Sequence, residues 1–144
     1  TQSDAKKVGI KINLKNVDYN VLDGIGVRGE YDLLISNILT EQAGDPEVFV
    51  NQYWKTNVDG SNPQNGSGYS NPEYDALSDQ LVSEFDPAKR RDIIIKMEKI
   101  VQDDAATLIF GYPQTNMVSN KSVQNANIYP CDYYWVTKDI TPAK

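Results

Sequence analysis

The side chains able to do chemistry in this chain are mostly carboxylates. Asp45 with Glu47, Asp103 with Asp104, and Glu41 are the candidates. Two carboxyl groups at a suitable separation serve hydrolysis as general acid and as nucleophile or base. Each acid also has a plainer reading. Asp45 stands just before Pro46 as a helix cap, and Asp103 and Asp104 fall at the carboxyl end of an apolar-periodic stretch, where acids are slightly unfavourable to the helix dipole but common on surfaces. Ser36 and Cys131 have no partner base, because the 144 residues contain no histidine. That composition excludes Ser-His-Asp and Cys-His nucleophile pairs and His-dependent zinc sites, and a single cysteine forms no intramolecular disulfide.

Gly24, Gly26 and Gly29 have the spacing of a dinucleotide fingerprint, but they precede an apolar run instead of joining a strand to a helix, so they read as helix termination and turn. The stretch Asp59-Gly60-Ser61-Asn62 lacks the alternating acids and closing glutamate of a calcium loop. Nine tyrosines put amphipathic rings near loops, notably Tyr69, Tyr112, Tyr129, Tyr133 and Tyr134. Such rings suit ligand or partner contacts, and equally suit core and rim packing with the hydroxyl in water. Glu41 follows a short apolar run directly. In open α/β sheets ligands bind beyond the carboxyl ends of strands, and a carboxylate there suits a cationic group such as a peptide amine. An ordinary exposed loop acid is the competing reading.

Fourteen basic against 20 acidic side chains leave a net charge of −6. With no local basic stripe, a nucleic-acid surface is disfavoured. The length suits one folded unit of about 100 to 200 residues with its own core. No apolar run approaches the roughly 20 residues needed to cross a bilayer, and Thr1-Gln2-Ser3-Asp4-Ala5-Lys6-Lys7 does not read as a signal peptide.

These residues must be positioned by alternating elements. Val8, Ile10, Ile12 and Leu14 alternate with polar residues, predicting a strand over 8–14. Asp18 caps a short helix carrying Tyr19, Leu22 and Ile25 and ending by Gly29. Residues 31–36 read as a doubly covered strand, so that strand, helix and strand form a right-handed crossover with a parallel pair. Asp45-Pro46 opens a helix burying Phe49, Val50, Tyr53 and Trp54. Asn71-Pro72 opens one carrying Tyr74, Leu77, Leu81 and Phe85, and Asp86-Pro87 opens one carrying Ile93, Ile94, Met97, Ile100 and Val101. The charges Lys89, Arg90, Arg91, Asp92, Lys96, Glu98 and Lys99 read as the solvated face of that last helix. Residues 55–71, dense in Asn, Gly and Ser, form a long polar surface loop. Further strands are expected over 107–112, 114–118 and 136–140, with a polar turn-rich tail over 120–130.

Four motifs occur in the order and spacing seen in one family: Gly29-Glu30-Tyr31-Asp32-Leu33-Leu34, Gly44-Asp45-Pro46, Gly68-Tyr69-Ser70-Asn71-Pro72-Glu73-Tyr74-Asp75-Ala76-Leu77 and Asp86-Pro87-Ala88-Lys89-Arg90. The chain resembles the C-terminal lobe of the extracellular solute-binding proteins, family 5, of ABC importers, the peptide and nickel type. The match runs from Lys6-Lys7-Val8-Gly9-Ile10 to about Ile140.

The resemblance implies an α/β lobe of a bilobed, type 2 periplasmic-binding fold, with a mixed sheet flanked by helices. All of 1–144 would be one lobe of a longer protein, and Thr1–Lys7 the cut end of a helix. It implies a non-enzymatic binding protein, periplasmic or lipid-anchored outside the membrane, that closes on its solute and hands it to a membrane permease. Its partners would be a peptide ligand, the permease and the N-terminal lobe of the same polypeptide, with no nucleic acid, no cofactor and no metal. In peptide-binding members an acid on the loop after the strand matching 31–36 receives the peptide amine. Glu41 falls at that place, where the family usually has aspartate, and the loop is one residue longer. Asn37, Thr40, Gln42 and Tyr69 would line the cleft beside it, and Ile38 stands where many members carry tryptophan. With no histidine to meet a nickel chelate, peptide is preferred over nickel; a metal chelate or an oligosaccharide recognised through the same loop is the alternative within the family. A carboxylate-based hydrolase and an interaction module using the Tyr-rich tail are the rivals of other classes. A lobe alone holds half a binding site, so 1–144 by itself is expected to fold yet bind solute poorly.

Overall fold

An acid or amide side chain followed by proline opens each helix that carries the core. A computed structural model describes residues 2–38, 44–112, 114, 116–129 and 136–143. It divides the chain into two compact units, Thr1–Val101 and Gln102–Lys144.

In the first unit α1 (Gln2–Lys7) is followed by α2 (Tyr19–Arg28), which Asp18 caps by accepting from the Asn20 amide at 2.9 Å. Gly29 ends α2 in the left-handed region at φ 63°, where a Cβ is penalised. Helix α3 (Pro46–Trp54) has Asp45 as its cap, α4 (Pro72–Ser83) has Asn71, and at the start of α5 (Pro87–Asp103) the Asp86 carboxylate accepts from the Ala88 and Lys89 amides, both at 3.0 Å. Proline at the first helical position lacks only an N–H that would have found no partner there. The expected helices are thus present with their expected starts.

The core lies where α3, α4 and α5 turn their apolar faces inward. Val50 of α3, Tyr74 and Leu81 of α4, and Ile93, Ile94, Met97 and Val101 of α5 are buried. The α5 set recurs at helical spacing, leaving Lys89, Arg91, Asp92, Lys96, Glu98 and Lys99 exposed. Arg90 departs from the solvated face expected of it: its side chain is 17% exposed and both terminal nitrogens are bonded, as described below. Phe49, Tyr53 and Trp54 are half-buried and stack on one another, with Phe49 and Trp54 edge to face at 4.9 Å between ring centroids. Phe85 lies beyond the end of α4 and is exposed.

The strands expected over 8–14 and 31–36 do not form. Val8, Ile10 and Leu14 are 57% to 74% exposed, Leu33 and Ile35 are 79% and 71% exposed, and both stretches are irregular. The alternation is real in the sequence, but a strand is completed by a neighbour's backbone hydrogen bonds, and none lies alongside these segments among the described residues. The parallel crossover is absent for the same reason.

The second unit holds a two-stranded antiparallel ribbon, β1 (Val123–Gln124) and β2 (Thr141–Pro142), in register Val123 to Pro142 and Gln124 to Thr141. One strand thus sits in the stretch expected to be turns, and the other begins just after 136–140. Residues 107–112 form no strand, with Leu108, Ile109, Phe110 and Tyr112 exposed, and neither do the described residues of 114–118. Cys131, Tyr133, Tyr134 and Trp135 lie outside the described residues.

Residues 55–71 carry turns but no helix or strand. Two amides organise them. Asn62 Nδ2 donates to the carbonyls of Asn51 and Lys55 at 3.0 and 2.7 Å, and Asn65 Nδ2 donates to those of Lys55 and Tyr69 at 2.9 and 2.8 Å. Asn65 is 3% exposed, and burial without these bonds would be costly for a primary amide. Gly66 brings this stretch against α2 backbone to backbone: a Cβ there would fall onto the Gly26 carbonyl. Gly26 therefore belongs to a close approach as well as to a helix end.

Candidate functional site

Gly44, Asp45 and Pro46 act as a unit. Gly44 takes φ 69°, Asp45 Oδ1 accepts from the Glu47 amide at 2.9 Å, and Pro46 starts α3. Each residue type suits its place, a left-handed turn, a cap and a first helical residue. The Gly68 to Pro72 segment repeats the logic, with Gly68 at φ 70° and Asn71 Oδ1 accepting from Glu73 and Tyr74.

Arg90 fastens the first of these junctions to the helices behind it. Its Nη2 donates to Asp45 Oδ2 at 2.8 Å and Glu47 Oε2 at 2.7 Å, while Nη1 donates to the carbonyls of Leu81 and Glu84 at 2.9 and 2.7 Å. The start of α3, the end of α4 and the first turn of α5 therefore meet on one guanidinium. Its bonds to Glu47, then to Asp45, hold the guanidinium pKa above its ordinary value. Sequence reading missed this role by counting Arg90 with its charged neighbours; the one available signal was its recurrence beside Asp86-Pro87 in a family motif.

Of the candidate ligand residues, Asn37 is exposed at the end of an irregular stretch, and Thr40, Glu41 and Gln42 lie outside the described residues. Tyr69 is half-buried and packs edge-on against Tyr74, with centroids 6.1 Å apart and planes at 84°. The structure gives Tyr69 a packing role against the first turn of α4. Asp103 and Asp104 are exposed at the end of α5.

Beside α3 an open groove of about 500 Å³ is lined by Val48, Asn51, Gln52, Lys55, Thr56, Ser61 and Asn62. Sequence reading did not single out this face. Its chemistry is that of amides and hydroxyls, and much of it is already committed: Lys55 pairs with Asp79 at 2.6 Å, Asn51 accepts from Ser78 at 2.8 Å, and Thr56 donates to Ser70 at 3.1 Å. Among the described residues no group of three or more Cys, Asp or Glu side chains is placed to hold a metal ion, and no helix is long and apolar enough to cross a membrane.

No family model matches the chain. Two curated proteins do. A probable D,D-dipeptide-binding periplasmic protein, DdpA, of Escherichia coli is 32% identical over 125 residues, 86% of this chain and 24% of that protein. The nickel-binding protein NikA of Staphylococcus aureus is 30% identical over 135 residues, 94% of this chain and 26% of that protein. The resemblance to the family 5 solute-binding proteins of ABC importers is borne out. The chain spans about a quarter of the length of these relatives.

Solved structures carry the same likeness into three dimensions. NikA of Staphylococcus aureus in complex with Ni(L-His)2 aligns over 72% of this chain and 21% of its own with a TM-score of 0.62 and 31% identity. The ABC transporter substrate-binding protein CtaP of Listeria monocytogenes aligns over 72% and 20% with a TM-score of 0.60 and 26% identity. The fold class is therefore that of ABC substrate-binding proteins, even though the ladders expected over 8–14 and 31–36 are not formed.

Proposed function

We propose that this chain is the C-terminal lobe of the solute-binding component of an ABC importer, capturing dipeptides or oligopeptides outside the membrane and delivering them to a permease. The observation that carries the reading is the 32% identity to DdpA across 86% of the chain. Glu41 would receive the peptide amine, with Asn37, Thr40, Gln42 and Tyr69 around it, once the N-terminal lobe closes and excludes water. Backbone groups at the cleft would read the extended peptide through strand-like hydrogen bonds, which tolerates varied side chains. The location is extracytoplasmic, as for a periplasmic relative, with lipid anchoring at the outer face of the membrane part of the same proposal.

A nickel chelate is the second reading, favoured by NikA. The lack of histidine in this chain weighs less against it than the sequence suggested, because Ni(L-His)2 brings its own imidazoles. A carboxylate-based hydrolase fits poorly. Asp45 and Glu47 share one guanidinium nitrogen, which commits both to tying the start of α3 to α5.

Thermal unfolding of the full-length protein with dipeptides, D,D-dipeptides, nickel-histidine and oligosaccharides tests the proposal, since a solute bound only by the folded state raises the midpoint. The expected result is a rise with peptides. A rise confined to nickel-histidine would transfer the function to the chelate, and a rise confined to sugars would overturn both.

A further inference from the structure

We propose that the Asn65-Gly66 peptide is a latent deamidation site: the closed 55–71 stretch shields it, it reacts when that stretch opens, and its product no longer closes the stretch as before. It is the one Asn-Gly pair among the 144 residues. Each member answers a packing need. Asn65 is buried, and its Nδ2 donates to the carbonyls of both Lys55 and Tyr69, at 2.9 and 2.8 Å, which ties the two ends of the stretch together. Gly66 lies where a Cβ would strike the Gly26 carbonyl of α2. A short primary amide followed by a residue without Cβ is also the arrangement that deamidates most readily, because nothing hinders the backbone nitrogen of the second residue.

The chemistry needs only water. The Gly66 nitrogen loses its proton and bonds to Asn65 Cγ, the Cγ–Nδ2 bond breaks, and Nδ2 leaves as ammonia. Water then opens the cyclic imide at one carbonyl to give aspartate, or at the other to give isoaspartate, whose main chain runs through the former side chain. The closed stretch holds Asn65 against this. Its Nδ2 bonds two carbonyls, Oδ1 accepts from the Ser67 hydroxyl at 2.8 Å, and its amide donates to the Asn62 carbonyl at 3.1 Å. The ring draws Cγ onto the Gly66 nitrogen and expels Nδ2, so it forms only when the side-chain bonds are released. The product is a misfit in the same place. A carboxylate has no hydrogen for the Lys55 and Tyr69 carbonyls, and acceptors facing acceptors at a buried position are costly.

The full-length protein, incubated in buffer and in urea beyond its unfolding midpoint, tests this, with aspartate and isoaspartate at position 65 followed by peptide mapping. Conversion in buffer is expected to be slower by about tenfold or more, since the native-state rate is scaled by the open population. Ser67→Ala removes one bond from Asn65. It should raise the buffer rate relative to the urea rate about fivefold, the change in open population for one hydrogen bond of ordinary strength. Asn65→Asp installs one product directly and should speed amide exchange across 55–71. Should that variant fail to fold, the Ser67→Ala rates decide. Equal conversion in buffer and urea, or a rate ratio unmoved by Ser67→Ala, would overturn the shielding, and unchanged exchange in a folded Asn65→Asp would overturn the claim that the product cannot close the stretch.

Discussion

The phenolic oxygen of Tyr74 donates to the carbonyl of Val50 at 2.7 Å, joining the middle of α3 to the start of α4 inside the core. Tyr74 has no exposed surface, and burial, with smaller contributions from Tyr69, Asp75 and Glu98, pushes its pKa up.

A raised pKa in the folded state means that the unfolded chain releases this proton first as pH rises. The contribution of Tyr74 is therefore complete below the ordinary tyrosine value near 10 and is lost above it. Urea midpoints between pH 8 and pH 11 should fall with rising pH in the native protein and fall less steeply in Tyr74→Phe. At pH 8 the variant should lose about 1 kcal/mol for the missing hydrogen bond. Equal slopes would show that the phenol is not the group responsible.

Asn71 holds the first turn of α4 by accepting from two amides, Glu73 at 2.9 Å and Tyr74 at 3.2 Å. Asn71→Ala should destabilise by about 1 kcal/mol and Asn71→Asp by less, since aspartate caps as well. Equilibrium denaturation of both variants checks the order.

Two glycine substitutions separate space from backbone conformation. At Gly60 a Cβ meets nothing within 4 Å but the residue sits at φ 82°, so Gly60→Ala should lose about 1 to 2 kcal/mol through conformation alone. At Gly66 a Cβ would strike the Gly26 carbonyl, and overpacking of this kind costs about 1 to 3 kcal/mol or displaces α2. Faster amide exchange across 19–28 in Gly66→Ala, but not in Gly60→Ala, is the expected signature. Unchanged exchange in both would show that α2 does not depend on this approach.

Glu41→Gln in the full-length protein should weaken peptide binding by roughly 2 to 5 kcal/mol if the amine contact is shielded from water. Calorimetry measures it, and unchanged affinity would remove Glu41 from the site.

What the sequence determined by itself is local. Asp18, Asp45, Asn71 and Asp86 bond to amides two or three residues ahead, and Pro46, Pro72 and Pro87 restrict their own backbone, so helix starts were legible without knowing what they pack against. The same holds for the motif order that pointed to the family. Tertiary structure decided whatever needs a distant partner. The alternation over 8–14 specifies a strand only if another strand lies beside it, which is why Val8 and Leu14 stay exposed. Arg90 looked like one more surface charge until Asp45, Glu47, Leu81 and Glu84 met on its guanidinium, the two acids lying 45 and 43 residues away in the chain. Gly66 could be assigned its close approach to Gly26 only in three dimensions, because contacts between segments far apart in sequence leave no periodicity to read.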